Sequence, residues 1–256
     1  MKTRIFSLIL ALLPLHAFAS DAWVIMGRAA GGQTCSVPAV TWTADALVRN
    51  FGGSRAVVRQ VHDSNGGVLQ DATELDLEPG QSASLLQNAT PQSLFVRHLD
   101  VPADVVVDGR LELSYYVPCT GVPPAPGPGA KVALPVYTQL TPANVRKVFT
   151  GTDIGYSDNA RVNVGIYNAG SVTAVATIDV RRGPCEGVRR DVTIPADTLV
   201  QFSLPMPAKC DSSLDPAGLP WAGYTTVTAD QATLSYAVTL SNTSIPTATF
   251  AVAGSN

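Results

Sequence analysis

Histidine occurs only three times in this 256-residue chain, lysine and glutamate are scarce, and no C-x-x-C pair is present. That combination argues against a zinc site. No G-x-S-x-G accompanies the histidines, so the strand–turn–helix placement of an esterase nucleophile is missing. Glycine-rich pieces such as Ala30-Gly31-Gly32 are not followed by G-K-S/T, which removes a phosphate cradle. Beyond the N-terminal segment no run of 18 or more apolar residues occurs, so no membrane-inserted helix is expected. A basic patch is lacking too, and with it the electrostatic footprint of a nucleic-acid or anionic-lipid partner. No stretch shows a sustained 3.6-residue apolar period, and no cofactor is implied.

What is present begins with an export signal. Lys2 and Arg4 form a positive start, Ile5 to Leu15 is apolar apart from Ser7 and Pro14, and Ala17-Phe18-Ala19 places small residues where signal peptidase needs them. Cleavage is expected after Ala19, giving a signal peptide over 1–19. No cysteine follows directly, so no lipid anchor is expected. Of 17 Lys+Arg, two lie in this segment, leaving 15 against 20 Asp+Glu and a net charge of about −5. The expected location is periplasmic or extracellular.

The remaining composition favours strands. Val, Thr and Ala abound, and 21 Gly with 19 Pro punctuate short alternating runs. An internal repeat is visible. Asn50-Phe51-Gly52-Gly53-Ser54-Arg55-Ala56-Val57 and Asn168-Ala169-Gly170-Ser171-Val172-Thr173-Ala174-Val175 both read N-x-G-x-x-x-A-V. Leu75-Asp76-Leu77-Glu78-Pro79-Gly80 lines up with Val192-Thr193-Ile194-Pro195-Ala196. Leu113-Ser114-Tyr115-Tyr116-Val117 and Leu234-Ser235-Tyr236-Ala237-Val238 both read L-S-Y-x-V. Two copies make a tandem pair rather than a solenoid.

Each copy divides into six or seven strand-like runs, as an immunoglobulin-like sandwich does. In the first these are 46–49, 56–62, 68–77, 82–86, 93–98, 104–107 and 111–117. In the second they are 161–167, 174–180, 190–194, 199–204, 225–229 and 233–240. The segment 120–132, rich in Pro and Gly, reads as a linker. The expected organisation is therefore all-β: a first sandwich domain over 20–119, the linker, and a second sandwich domain over 133–256. The apolar-Pro-Val start at Leu134-Pro135-Val136, the Asn-x-Gly strand end, the apolar-x-apolar-x-Pro-Gly turn and the closing strand resemble the immunoglobulin-like modules of secreted bacterial surface proteins. That resemblance implies a scaffold or binding module and carries over no functional residue.

Four cysteines follow the signal: Cys35, Cys119, Cys185 and Cys210. An even number in an oxidising compartment implies two disulfides with three possible connectivities. The pairing Cys35–Cys119 and Cys185–Cys210 keeps each bond within one domain. In the loop-entropy picture each contributes about 3 to 4.5 kcal/mol.

Candidates for chemistry are few. His62-Asp63-Ser64 has the residue types of a triad, but neighbours on a strand point to opposite faces, and Asp and Ser suit a hairpin turn. His98 and Asp100 can share a face without a nucleophile beside them. Asp71, Glu74, Asp76 and Glu78 read as the wet face of a strand. Asp153, Asp158 and Asn159 offer oxygen ligands for calcium in a segment of ordinary turn residues, so no metal is assigned. Trp221 and Tyr224, in Leu219-Pro220-Trp221-Ala222-Gly223-Tyr224, are the candidate binding residues: such a loop can stack on a sugar, anchor a protein, or cover its own core. The chain is thus expected to be a non-enzymatic structural or interaction protein of the bacterial cell envelope, its partner an envelope or extracellular protein. The alternative is a carbohydrate-binding module whose glycan rests on Trp221 and Tyr224.

Overall fold

The computed structural model describes residues 20–30, 39–66, 74–85, 94–116, 130–150, 160–182, 187–204, 223–241, 248–252 and 254–255, and among these every regular element is a strand. The first ten are β1 (Ser20–Met26), β2 (Arg28–Ala30), β3 (Ala39–Asn50), β4 (Ala56–Asp63), β5 (Glu74–Leu77), β6 (Ser82–Ser84), β7 (Phe95–Val101), β8 (Val105–Tyr116), β9 (Ala130–Leu134) and β10 (Val136–Tyr137). The others are β11 (Lys147–Thr150), β12 (Ala160–Asn168), β13 (Ala174–Arg182), β14 (Val188–Ile194), β15 (Thr198–Ser203), β16 (Gly223–Ala229), β17 (Thr233–Ser241), β18 (Ala248–Val252) and β19 (Gly254–Ser255).

They form four antiparallel sheets. Sheet I has the order β10-β1-β7-β4-β5, and sheet II the order β2-β3-β8-β9 with β6 also on β3. Sheet III runs β14-β13-β16-β11-β19, and sheet IV runs β15-β12-β17-β18. Apart from β2, the described strands of the two halves match one for one: β1 with β11, β3 to β10 with β12 to β19. Alternation decides which face each strand buries. In β4, Ala56 and Val58 are buried while Arg59 is exposed; in β13 the corresponding Ala174 and Ala176 are buried. Sheets I and II enclose one apolar cluster, including Val24, Met26, Val48, Val58, Leu77 and Leu99. Sheets III and IV enclose another, including Phe149, Val164, Ile166, Ile178, Ile194 and Val227.

The Asn-x-Gly repeat marks the corner where the chain crosses from one sheet to the other. Asn50 Nδ2 donates to the carbonyls of Ser54 and Leu77 at 2.8 and 2.9 Å, and its Oδ1 accepts from Gly52 N. Asn168 Nδ2 donates to Val172 and Ile194 carbonyls at 2.8 and 3.1 Å, and its Oδ1 accepts from Gly170 N. Both asparagines are fully buried. The second crossing, β7 to β8 or β16 to β17, sits at the same end. Phe51 N donates to Asp104 O, and Ala169 N to Ala232 O.

Four expectations change. The strand pairs are nested: β3 with β8 and β4 with β7. The immunoglobulin order instead pairs the second strand with the fifth and the third with the sixth, so the all-β architecture holds while the strand order is a different one. Leu134-Pro135-Val136 does not open the second copy, and the 120–132/133 division falls within β9. β9 extends sheet II beside β8, and β10 extends sheet I beside β1. Pro135 stands where the chain leaves one ladder for the other, a position at which it has no ladder bond to donate. The two L-S-Y-x-V segments are also not equivalent. Leu234 lies opposite Tyr167, next to the corner, whereas Leu113 lies opposite Trp42, far from it. Because β8 is one long strand, the two runs expected over 104–107 and 111–117 are continuous.

Candidate functional site

The residues of catalytic type are held in structural bonds. Asp63 and Arg97 are fully buried together and form a fork, Arg97 Nε to Asp63 Oδ1 at 2.8 Å and Nη2 to Oδ2 at 2.9 Å. Arg97 also donates to Leu85 O and lies over the Phe95 ring. Ser64 Oγ accepts from Val96 N at 2.8 Å. His62 therefore does not share a site with Asp63 and Ser64: its Nε2 is 2.6 Å from Asp197 Oδ2 in the other half. His98 stacks on Trp23, with ring centroids 4.9 Å apart, and its Nε2 is 2.7 Å from Asp21 Oδ1 rather than on Asp100. The acidic strand is a wet face, as its alternation implies. Arg55 binds Asp76 and Arg59 binds Glu74 across the β4–β5 ladder.

A third apolar cluster joins the two halves. Trp23, Ile25 and Val96 come from the face of sheet I that points away from its own core. Tyr167, Leu199, Leu234, Tyr236 and Val238 come from the corresponding outer face of sheet IV. Ala44, Leu111 and Leu134 of sheet II and Tyr137 of β10 also belong to the cluster, and Tyr137 donates to Ser235 O at 3.2 Å. Burial raises the Tyr137 and Tyr236 hydroxyls well above the usual tyrosine range. The Tyr167 hydroxyl is raised as well, first by burial and then by the Asp197 carboxylate, to which it donates at 3.1 Å. The ring of Tyr236 lies across Gly165, where an added Cβ would come within 2.1 Å of it, so a glycine inside β12 is required there. Its hydroxyl donates to Gln201 at 2.7 Å.

Polar contacts flank this cluster. Asn65, at φ 62°, donates from its backbone N to Asp197 O at 2.9 Å and accepts from Leu199 N on Oδ1 at 2.8 Å. Asp197 has φ 51° and stands where the first half has Gly80, at φ 78°. The turn needs a left-handed residue, and glycine supplies it without steric cost. Aspartate in that place adds a carboxylate that reaches His62 and Tyr167 together.

The sequence reasoning missed Tyr167, Asp197, Leu234 and Tyr236 as partners. A signal existed: β17 reads Leu-Ser-Tyr-Ala-Val with buried residues on both faces, the mark of a strand covered on both sides. Of the candidate binding residues, Tyr224 lies in β16 on the outer face of sheet III, 41% exposed, opposite Thr150 and Arg181. Trp221 lies outside the described residues, as do Cys35, Cys119, Cys185, Cys210, Asp71, Asp153, Asp158, Asn159 and the segment 1–19. Among the described residues no group of three or more His, Cys, Asp or Glu is placed to hold a metal ion. No helix among them is long and apolar enough to cross a membrane. The chain matches no protein-family model and no curated protein.

Proposed function

We propose that the protein is an exported, non-enzymatic structural or interaction protein of the bacterial cell envelope, built as two tandem β-sandwich domains that present their free surfaces to a protein partner. The observation that carries this reading is the junction. His62, Asp197 and Tyr137, side chains that could do chemistry, are used there to hold one sandwich on the other. A locked pair holds its exposed loops and sheet faces at fixed spacing, which lowers the ordering cost of binding a large partner. Export is supported by the signal-peptide pattern of Lys2, Arg4, the apolar stretch after them and Ala17-Phe18-Ala19.

The test is a cross-linking pull-down from an envelope fraction with the oxidised protein as bait. One protein recovered at matched stoichiometry is the expected result. Catalytic turnover of an envelope component by the pure protein would overturn the reading. The exposed Tyr224 favours one second reading, a glycan-binding face that Trp221 extends. There Tyr224→Ala lowers affinity for a polysaccharide panel at least tenfold while the fold is kept; unchanged binding rejects it.

A further inference from the structure

The duplication gives each half two outer sheet faces, and the junction uses one from each. Sheet I of the first half, joined by Ala44, Leu111 and Leu134 from sheet II, meets sheet IV of the second, and among the described residues the outer faces of sheets II and III take no part in the junction. Strand register identifies their residues one by one. On the sheet IV side, Tyr167, Ala169 and Leu234 pack in the junction; their equivalents in the first half are Arg49, Phe51 and Val106. On the sheet I side, Trp23, Ile25 and Val96 pack in the junction; their equivalents in the second half are Val148, Thr150 and Tyr224.

These outer-face positions are not simply polar. Phe51 is 62% exposed and Val106 53% exposed, and Arg49 lies over the Phe51 ring at 4.8 Å to its centroid. Arg49 and Val106 are direct cross-strand neighbours, so the three form one patch. With Tyr224, they put three of the six large exposed hydrophobic residues among the described ones at positions whose counterparts pack between the halves. Single exposed apolar side chains are ordinary on a protein surface. Their coincidence with the junction register on both outer faces is not accounted for that way.

We infer that the chain self-associates head to tail, the Phe51–Val106 corner of one copy docking on the Tyr224 face of the next as the second half docks on the first. This inference rests on reading the halves as tandem sandwich domains. The ion pairs on the two faces do not oppose it. Arg110 is neutralised by Asp108 on one face, and Arg181 by Asp179 on the other. The contact is weaker than the internal one, because Gly80 stands in place of Asp197 and no carboxylate is there to clasp the incoming copy. It joins two different patches and does not close by two-fold symmetry, so it extends into short chains.

Sedimentation velocity over a concentration series tests this with the purified full chain. The expected result is a weight-average mass that rises with concentration beyond that of a dimer. Phe51→Glu and Tyr224→Glu should each weaken association at least tenfold, with Val106→Lys as a second variant on the first patch and circular dichroism showing the fold intact. Mixing the Phe51→Glu and Tyr224→Glu chains should restore a dimer that grows no further, since one intact patch of each kind remains. A chain that stays monomeric at the highest soluble concentration, or a mixture that stays monomeric, would overturn the inference. So would self-association that survives both substitutions. An envelope partner captured by a monomeric chain would leave the proposed function standing while this inference fails.

Discussion

The two halves share a frame and differ in what they do with its faces. At the corner they are the same: Asn50 and Asn168 make equivalent bonds to the strand and turn around them. On the outer face of β3 and β8 the first half carries Asp45, Arg49, Asp108 and Arg110 and meets water. On the same face of β12 and β17 the second half carries Tyr167, Leu234, Tyr236 and Val238 and meets its neighbour. The inner faces diverge as well. Asp63 and Arg97 of the first core stand where the second has Val180 and Thr225. The backbone corner is thus kept by its hydrogen bonds, while side chains on either face are free to specialise once the corner holds.

Substitutions at equivalent positions sharpen this contrast. The largest effect is expected at the buried ion pair. Asp63→Ala leaves Arg97 charged in an apolar core and should cost about 4 kcal/mol in chemical denaturation. The double change Asp63→Val with Arg97→Met, which imitates the apolar second half, should recover most of that loss. Next come the corners. Asn50→Ala and Asn168→Ala should each cost about 3 kcal/mol, because buried carbonyls and an amide lose their partner. Unequal losses would show that the corners are not equivalent after all. Leu234→Arg should then cost about 2 kcal/mol, the burial of one leucine at the junction. Val106→Arg, at the same register position, should stay within about 0.5 kcal/mol. The smallest contrast lies at the turn. Gly80→Asp should cost about 1 kcal/mol for placing a side chain at positive φ. Asp197→Gly should be near neutral overall, since relief of that strain offsets the lost His62 and Tyr167 contacts, each worth about 1 kcal/mol or less.

Local chemistry was legible in the sequence and long-range chemistry was not. The Asn-x-Gly corner stood out because few side chains can both donate to two carbonyls and accept from the next turn. Leu77 and Ile194, the other matching anchors, are fully buried, and their carbonyls accept from the corner asparagines. The L-S-Y-x-V match misled because strands of similar composition recur at any register. The boundary at Leu134 misled because a strand that changes sheet at a proline has the same local pattern as a strand that starts a domain. β1, β9 and β18 escaped notice, their pairing being with strands far away in the chain. His62 and Asp197 are 135 residues apart, one at the end of strand β4 and the other in the turn before β15, so nothing local joins them.

Calorimetry of the oxidised chain, set against its Leu234→Arg variant, tests most directly whether the junction makes one body of the two halves. The account predicts one transition for the natural sequence, with calorimetric and van't Hoff enthalpies in agreement, and two separated transitions for the variant. Two independent transitions in the natural chain, or one unchanged transition in the variant, would contradict it.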